Sequence, residues 1–316
     1  MKKTWMVIAV MLTTLNVPAE TLLTEDFEYA QGELLTDHTW FTQWGDASAI
    51  SVTNGLNFEG YAGCGIGNAA VIDVAEGNQL HKSFTQVTEG SVYVAFMFQP
   101  VKAYQEGYFI CLRDNKIDNQ TYNFNARIFI NTYGELGFTF AQNGNKVYHN
   151  QVLDASKTYL VVLKYTINTG ANNDAASLYV LDTFADTEPT EPFIGPLTDA
   201  TATDINPANM VLRGYSTDIW LVVDGIRVAT TWEEAVKFGV CASGVHSTLI
   251  NDNKLYIQNS SVHFEVTEEN TIMSIYDVTG KCLKQEILTE GHHDITLQKG
   301  CYILRLNNQV KKFIID

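Results

Sequence analysis

Apolar positions recur with a period of two through most of the chain, and in places occupy both parities. Residues 91–98 are apolar at odd and even positions alike, which predicts a strand covered on both faces. Residues 158–167 put Tyr159, Val161, Leu163, Tyr165 and Ile167 on one face of a strand. Residues 126–130 and 136–141 flank an Asn-Thr-Tyr-Gly run at 131–134, which predicts a hairpin. Residues 177–181 and 219–228 are further strands, and 231–238 is the one short helix candidate. Many strands separated by Asn, Gly and Asp, with hardly any helical periodicity, predict an all-β sandwich over residues 20–238. Residues 239–253 are polar and weakly patterned and are expected to be a linker. Beyond it, residues 271–278, 282–288, 301–306 and 310–315 alternate as strands, with turns at 279–281 and at Asn307–Asn308, so 254–316 is expected to be a small second β domain. The last strand runs almost to the final residue, where chains are usually loose, so the expectation is that something recognises it, the alternative being a small all-β domain whose last strand simply finishes there.

Composition narrows the setting. Lys2 and Lys3 precede a mostly apolar stretch at 5–15 that is too short to span a bilayer, and Val17 and Ala19 supply small residues before a cut. Residues 1–19 are therefore expected to be a secretory signal peptide. No other window approaches the ~18 apolar residues a membrane helix needs. The chain has 316 residues and a net charge of −16, which excludes nucleic acid as an expected partner because phosphate would be repelled. Its five cysteines (Cys64, Cys111, Cys241, Cys282 and Cys301) show no framework and no metal spacing. Cys282 and Cys301 fall in one small domain and can pair, or can stay free as small hydrophobes.

The tail carries SIYDVTGK at 274–281, KGCYILRL at 299–306 and a basic-then-apolar ending at 311–316. In that order and spacing they resemble the type A C-terminal sorting domain of the type IX secretion system of Bacteroidetes, with Cys301 where the family usually has a small aliphatic residue. The resemblance implies a small immunoglobulin-like β-sandwich that directs export across the outer membrane. The secretion machinery would be its partner, and the cargo would be anchored at the surface or released.

A second resemblance covers the larger region. EDFEY at 25–29, NGL at 54–56, GYAGCGIGN at 60–68, GSVYVAF at 90–96, YLVVLKY at 159–165 and VDGIRVATTW at 223–232 look like the concanavalin A-like jelly-roll modules of Bacteroidetes surface proteins. It implies a jelly-roll β-sandwich whose first and last strands lie side by side.

Strand parity groups Asp224 with Trp220, Val222, Ile226 and Val228, and Glu25 with Leu23 and Phe27, so both carboxylates are expected to point inward. A buried unpaired carboxylate is costly. Either Glu25 or Asp26, with Asp224 and backbone carbonyls, is thus expected to hold a structural Ca²⁺ where the terminal strands meet, as related jelly rolls do. The alternatives are a bulge at Gly225 that swings Asp224 to the surface, or pairing of Asp224 with Arg227 or Arg213. Glucan cleavage needs two carboxylates about 5–10 Å apart, and the strand motif that supplies them is absent, as are HExxH, GxSxG and a Walker A run. Glu188 and Glu191 fall in a Pro-containing loop, His292–His293 in a predicted hairpin loop, and the Gly63/Gly65/Gly67 run in a turn that lets chains approach closely. Trp40, Trp44, Tyr61, Tyr104 and Tyr108 are candidates for sugar contact, against the alternative that they pack in the core. The expectation is a secreted, non-catalytic protein that binds carbohydrate or another extracellular polymer. A structural or adhesive role and a glycan-cleaving enzyme are the alternatives.

Overall fold

A computed structural model describes residues 19–44, 50–73, 78–115, 123–214, 218–239, 241, 255–258, 261–266, 269, 271–277, 281–306 and 309–315. All but the last residue of the expected signal peptide, nearly all of the expected linker, and the turns at 279–280 and 307–308 lie outside the described residues. Two units divide the chain, Met1–Ala242 and Ser243–Asp316.

In the first unit the strands are β1 (Thr21–Glu25), β2 (Phe41–Trp44), β3 (Ser51–Thr53), β4 (Gly60–Tyr61), β5 (Ala69–Ile72) and β6 (Asn78–Ser83). The long β7 (Gly90–Ala103) follows, then β8 (Gly107–Arg113), β9 (Phe124–Ile130), β10 (Glu135–Thr139) and β11 (Val147–Val152). The remainder are β12 (Tyr159–Ile167), β13 (Ala175–Leu181), β14 (Ile194–Leu197), β15 (Asn209–Gly214), β16 (Ile219–Ala229) and β17 (Phe238–Gly239). They form an eight-stranded sheet, β14-β13-β12-β7-β16-β5-β3 with β1 also on β16, and a seven-stranded sheet, β11-β10-β9-β8-β15-β6-β2. This is the expected jelly-roll sandwich, and β1 lies antiparallel to β16 with Glu25 opposite Ile226, so the first and last long strands are neighbours.

Alternation along each strand builds the core between the sheets. β7 sends Val92, Val94, Phe96 and Phe98 inward, β12 sends Tyr159, Val161, Leu163 and Tyr165, and the opposite sheet answers with Phe109, Ile128, Phe138 and Leu212. Phe98 stacks on Phe109 across the gap at 5.0 Å. Each such side chain contributes roughly 1.5–3 kcal/mol by leaving water.

β7 is apolar on its other parity because the eight-stranded sheet has a second core outside it. Tyr93, Ala95 and Met97 of β7 and Leu160 and Val162 of β12 are covered by Leu56, Phe58 and Tyr61 and by the helix α1 (Trp232–Val236). Thr231 caps α1 by accepting from the Glu234 N–H at 3.3 Å. Trp232 packs edge-on to both Tyr93 and Tyr179. A disulfide joins Cys64 in this cover to Cys241, a pairing across 177 residues that spacing alone does not suggest. Cys282 and Cys301 do not bond to each other; both are free thiols.

In the second unit β18 (Leu255–Gln258), β19 (Ser261–Val266), β20 (Thr271–Asp277), β21 (Cys282–Leu288), β22 (Gly291–Thr296), β23 (Gly300–Leu306) and β24 (Gln309–Ile315) make an immunoglobulin-like sandwich. Its sheets are β18-β19-β22 and β21-β20-β23-β24, and the predicted hairpins β20/β21 and β23/β24 are both paired. Val262, Phe264, Met273, Ile275, Leu304 and Phe313 form its core. His292 and His293, expected in a loop, lie in β22 opposite Glu265 and Phe264.

Candidate functional site

Of the carboxylates expected at the terminal strands, Glu25 stands apart, while Asp26 and Asp224 are near enough for the charge of Asp26 to act on Asp224. Inward-facing Glu25, which is buried, accepts from the Phe27 N–H (2.9 Å), the Tyr29 hydroxyl (2.9 Å) and the Trp40 indole (3.1 Å), and pairs with Lys82. Asp26 pairs with Arg227 at 2.6 Å. Asp224 accepts from the Leu56 N–H at 2.7 Å and the Gly225 N–H at 2.6 Å.

The parity assigned to Asp224 is corrected by one residue. Gly225, at φ +56°, is where the β16–β7 register shifts. Val223 before it and Ile226 and Val228 after it face the inner core, while Val222 faces the outer one. Asp224 therefore shares the outer parity, beneath the cover of the eight-stranded sheet, and stays fully buried rather than swinging to solvent. Glu25 lies on the opposite side of that sheet and cannot share an ion with Asp224. The Gly63/Gly65/Gly67 run makes the close approach expected of it: a side chain on Gly67 would strike the Asp26 carbonyl, and one on Gly63 would meet Gly225. Burial pushes the Asp224 carboxyl up to about 8, against the pull of its two N–H donors. Among the described residues no three Asp, Glu, His or Cys side chains are placed to hold a metal ion.

Glu188, in its Pro-containing loop, closes the same cover. Its carboxylate accepts from Lys164 (2.7 Å), Tyr179 (2.5 Å) and Tyr93 (2.8 Å). Burial pushes it up, but those three partners outweigh that and hold it below the usual carboxylate range. This is a structural clamp on the sheet.

The outer face of the seven-stranded sheet is built differently. Inward positions on β6, β15, β8 and β9 go to the core, for example Leu80, Met210, Leu112 and Ile128. The alternate positions place Gln79 and His81, Val211 and Arg213, Tyr108, Cys111 and Arg113, and Arg127 and Phe129 side by side on the outside. At the edge, β2 pairs Phe41 with His81 and Trp44 with Gln79. Phe41 and Trp44 are 59% and 71% exposed.

The face has little acid at its centre. Arg127 and Arg213 lie over the Tyr108 ring at 4.4 and 4.3 Å, from the strands on either side of it. Gln79 donates to the Tyr108 hydroxyl at 3.0 Å. Burial pushes the Tyr108 phenol and the Cys111 thiol each up to about 12, so neither is ionised at neutral pH. Burial, then Arg113, pushes His81 down to about 4, so it is neutral too. Two carboxylates, Glu106 and Glu135, sit towards the end near Tyr148. They are held by Lys146 and by Asn131.

Of the five aromatic candidates, Trp44 and Tyr104 are exposed, while Trp40, Tyr61 and Tyr108 are buried. Phe41, Arg113 and Arg127 are not singled out by the sequence, and Arg213 enters there only as a possible partner of Asp224; one arginine per strand, scattered along the chain, leaves no local motif.

Comparison with curated proteins gives no match. Solved structures similar to the chain include the T. cruzi calreticulin globular domain, at 9% identity and TM-score 0.42 over 69% of this chain and 91% of that one. The endo-1,3-beta-glucanase from Streptomyces sioyaensis gives 10%, 0.41, 69% and 98%. The carbohydrate esterase vb_24B_21 from Shiga toxin-encoding bacteriophage phi24B gives 12%, 0.39, 67% and 99%. At this level of similarity none of them bears on what the chain does. No helix among the described residues is long and apolar enough to cross a membrane. Residues 252–316 match the secretion system C-terminal sorting domain. The chain thus carries a type IX sorting domain that takes it to the cell surface or the extracellular space.

Proposed function

We propose that the exported protein is a non-catalytic polysaccharide-binding module, and that its ligand lies across the outer face of the seven-stranded sheet. The observation that carries the reading is the pair Phe41 and Trp44, exposed on the edge strand beside the polar side chains Gln79 and His81. Sugar rings are held by exposed aromatic faces with a few polar groups that fix orientation. At the centre of the face stand guanidinium, amide, imidazole and phenol groups in place of a carboxylate pair, which favours holding a glycan over hydrolysing one.

The test is binding of the full chain to a glycan array and to soluble polysaccharides, with calcium and with chelator, alongside an assay for released reducing sugar. Saturable binding without sugar release is expected. Release of reducing sugar would make the protein an enzyme, and no binding to any glycan would leave an adhesive or structural role. Loss of binding on chelation would return a calcium ion to the Asp26 and Asp224 side of the molecule.

A further inference from the structure

The chain has five arginines among 36 acidic residues, and three of the five stand on one sheet face. Arg213, Arg113 and Arg127 come from β15, β8 and β9, which are adjacent strands. Of the other two, Arg227 is paired with Asp26 in the other sheet, and Arg305 belongs to the sorting domain. Gathered like charges repel unless they are compensated, and Arg113 and Arg213 have interactions of their own within the protein. Arg127 is the sharpest case. It is 8% exposed, its Nη1 donates to the Gln142 carbonyl at 3.3 Å, and its buried Nε has no hydrogen-bond partner. Among the described residues no carboxylate pairs with it, in a chain of net charge −16.

Tyr108 holds the Arg127 and Arg213 guanidinium groups 4.4 and 4.3 Å from the centre of its ring, from the strands on either side of its own. Guanidinium forks held in this way suit planar or tetrahedral oxyanions, which they meet with two parallel hydrogen bonds. The same face continues through Gln79 and His81 to the exposed rings of Phe41 and Trp44. One end thus offers stacking to a sugar ring, and the centre offers positive charge to its substituents.

We propose that the polymer bound here is an acidic polysaccharide whose oxyanions, uronate carboxylate or sulfate, are met by Arg127 with Arg113 and Arg213 beside it. The proposal rests on the polysaccharide-binding reading above and adds the ligand's charge to it. The overall negative charge of the chain repels a polyanion at long range, so recognition is by contact at this face.

The test is calorimetric titration of the full chain, at fixed ionic strength, with polygalacturonate, with its carboxyl-reduced galactan and with dextran sulfate. An acidic polymer is expected to bind at least about tenfold more tightly than the reduced one, from the strength of charge-assisted hydrogen bonds. Preference for polygalacturonate or for dextran sulfate assigns the oxyanion as carboxylate or sulfate. Arg127→Gln is expected to lose about tenfold for the acidic polymer and nothing for the galactan, with melting temperature as the check on folding. If that variant does not fold, the comparison of polymers on the unaltered chain still decides. Binding of galactan as tightly as both acidic polymers, or a folded Arg127→Gln with undiminished affinity, overturns this proposal alone. Failure of every polymer to bind overturns it together with the reading it rests on.

Discussion

The two sheets of the sandwich share one inner core and treat their outer faces in opposite ways. The outside of the eight-stranded sheet is roofed: Leu56, Phe58, Tyr61 and helix α1 lie on it, and Glu188 gives one carboxylate to three donors. The outside of the seven-stranded sheet has no such cover among the described residues, and it presents arginines and exposed aromatic rings. Both faces belong to antiparallel strands of the same alternation, so the difference lies in what occupies the second parity. Tyr93, Ala95 and Met97 ask for cover, whereas Gln79, His81 and Arg213 do not. An open antiparallel face rich in donors suits the proposed ligand, and a closed one serves stability.

Three measurements can break or sharpen that contrast. The largest effect belongs to the roof. Trp232→Ala removes the ring wedged against Tyr93 and Tyr179 and is expected to cost about 3–5 kcal/mol in urea unfolding, without changing glycan affinity in the protein that remains folded. A loss below about 1 kcal/mol would mean that the roof is an ornament on the sheet.

Next comes Asp224, the one carboxylate beneath the roof whose pKa is pushed to about 8. Its folded pKa lies above its unfolded value of 3.8, so the folded state holds the extra proton between those two values. Stability is then expected to fall as pH rises from about 4 to about 8, by up to about 1.4 kcal/mol per pH unit. Asp224→Asn should flatten that slope, read from unfolding curves across the range. A profile already flat in the unaltered protein when calcium is present, and sloped with chelator, would place an ion at Asp224.

The smallest effect on stability, and the clearest on function, is expected from Phe41→Ala with Trp44→Ala. Both rings are solvent-exposed, so unfolding free energy should move by no more than about 0.5 kcal/mol per ring. Glycan affinity should fall roughly tenfold by loss of stacking. A large destabilisation instead would make the pair part of the core and remove the ligand platform.

The sequence carries the strands, the 131–134 hairpin, the helix after Thr231 and the neighbouring of β1 and β16, because each depends on local periodicity or on the resemblance. It misplaces Asp224, because a one-residue bulge at Gly225 inverts every parity counted across it. It cannot separate buried Trp40, Tyr61 and Tyr108 from exposed Trp44 and Tyr104, since burial is decided by strands far away in the chain. The arginine cluster is invisible for the same reason: residues 113, 127 and 213 become neighbours only through the order β15-β8-β9.

The bond between Cys64 and Cys241 also sets a timetable. A chain translocated from its N-terminal end delivers Cys64 and Cys111 to the oxidising compartment long before Cys241. For most of that interval Cys111 is the thiol within reach, and the wrong bond is the one available. Folding removes the hazard, because Cys111 is buried on the outer side of the seven-stranded sheet while Cys64 sits on the outer side of the other sheet, with the inner core between them. The folded arrangement of the two exteriors thus sets Cys64 beside Cys241 and keeps it from Cys111.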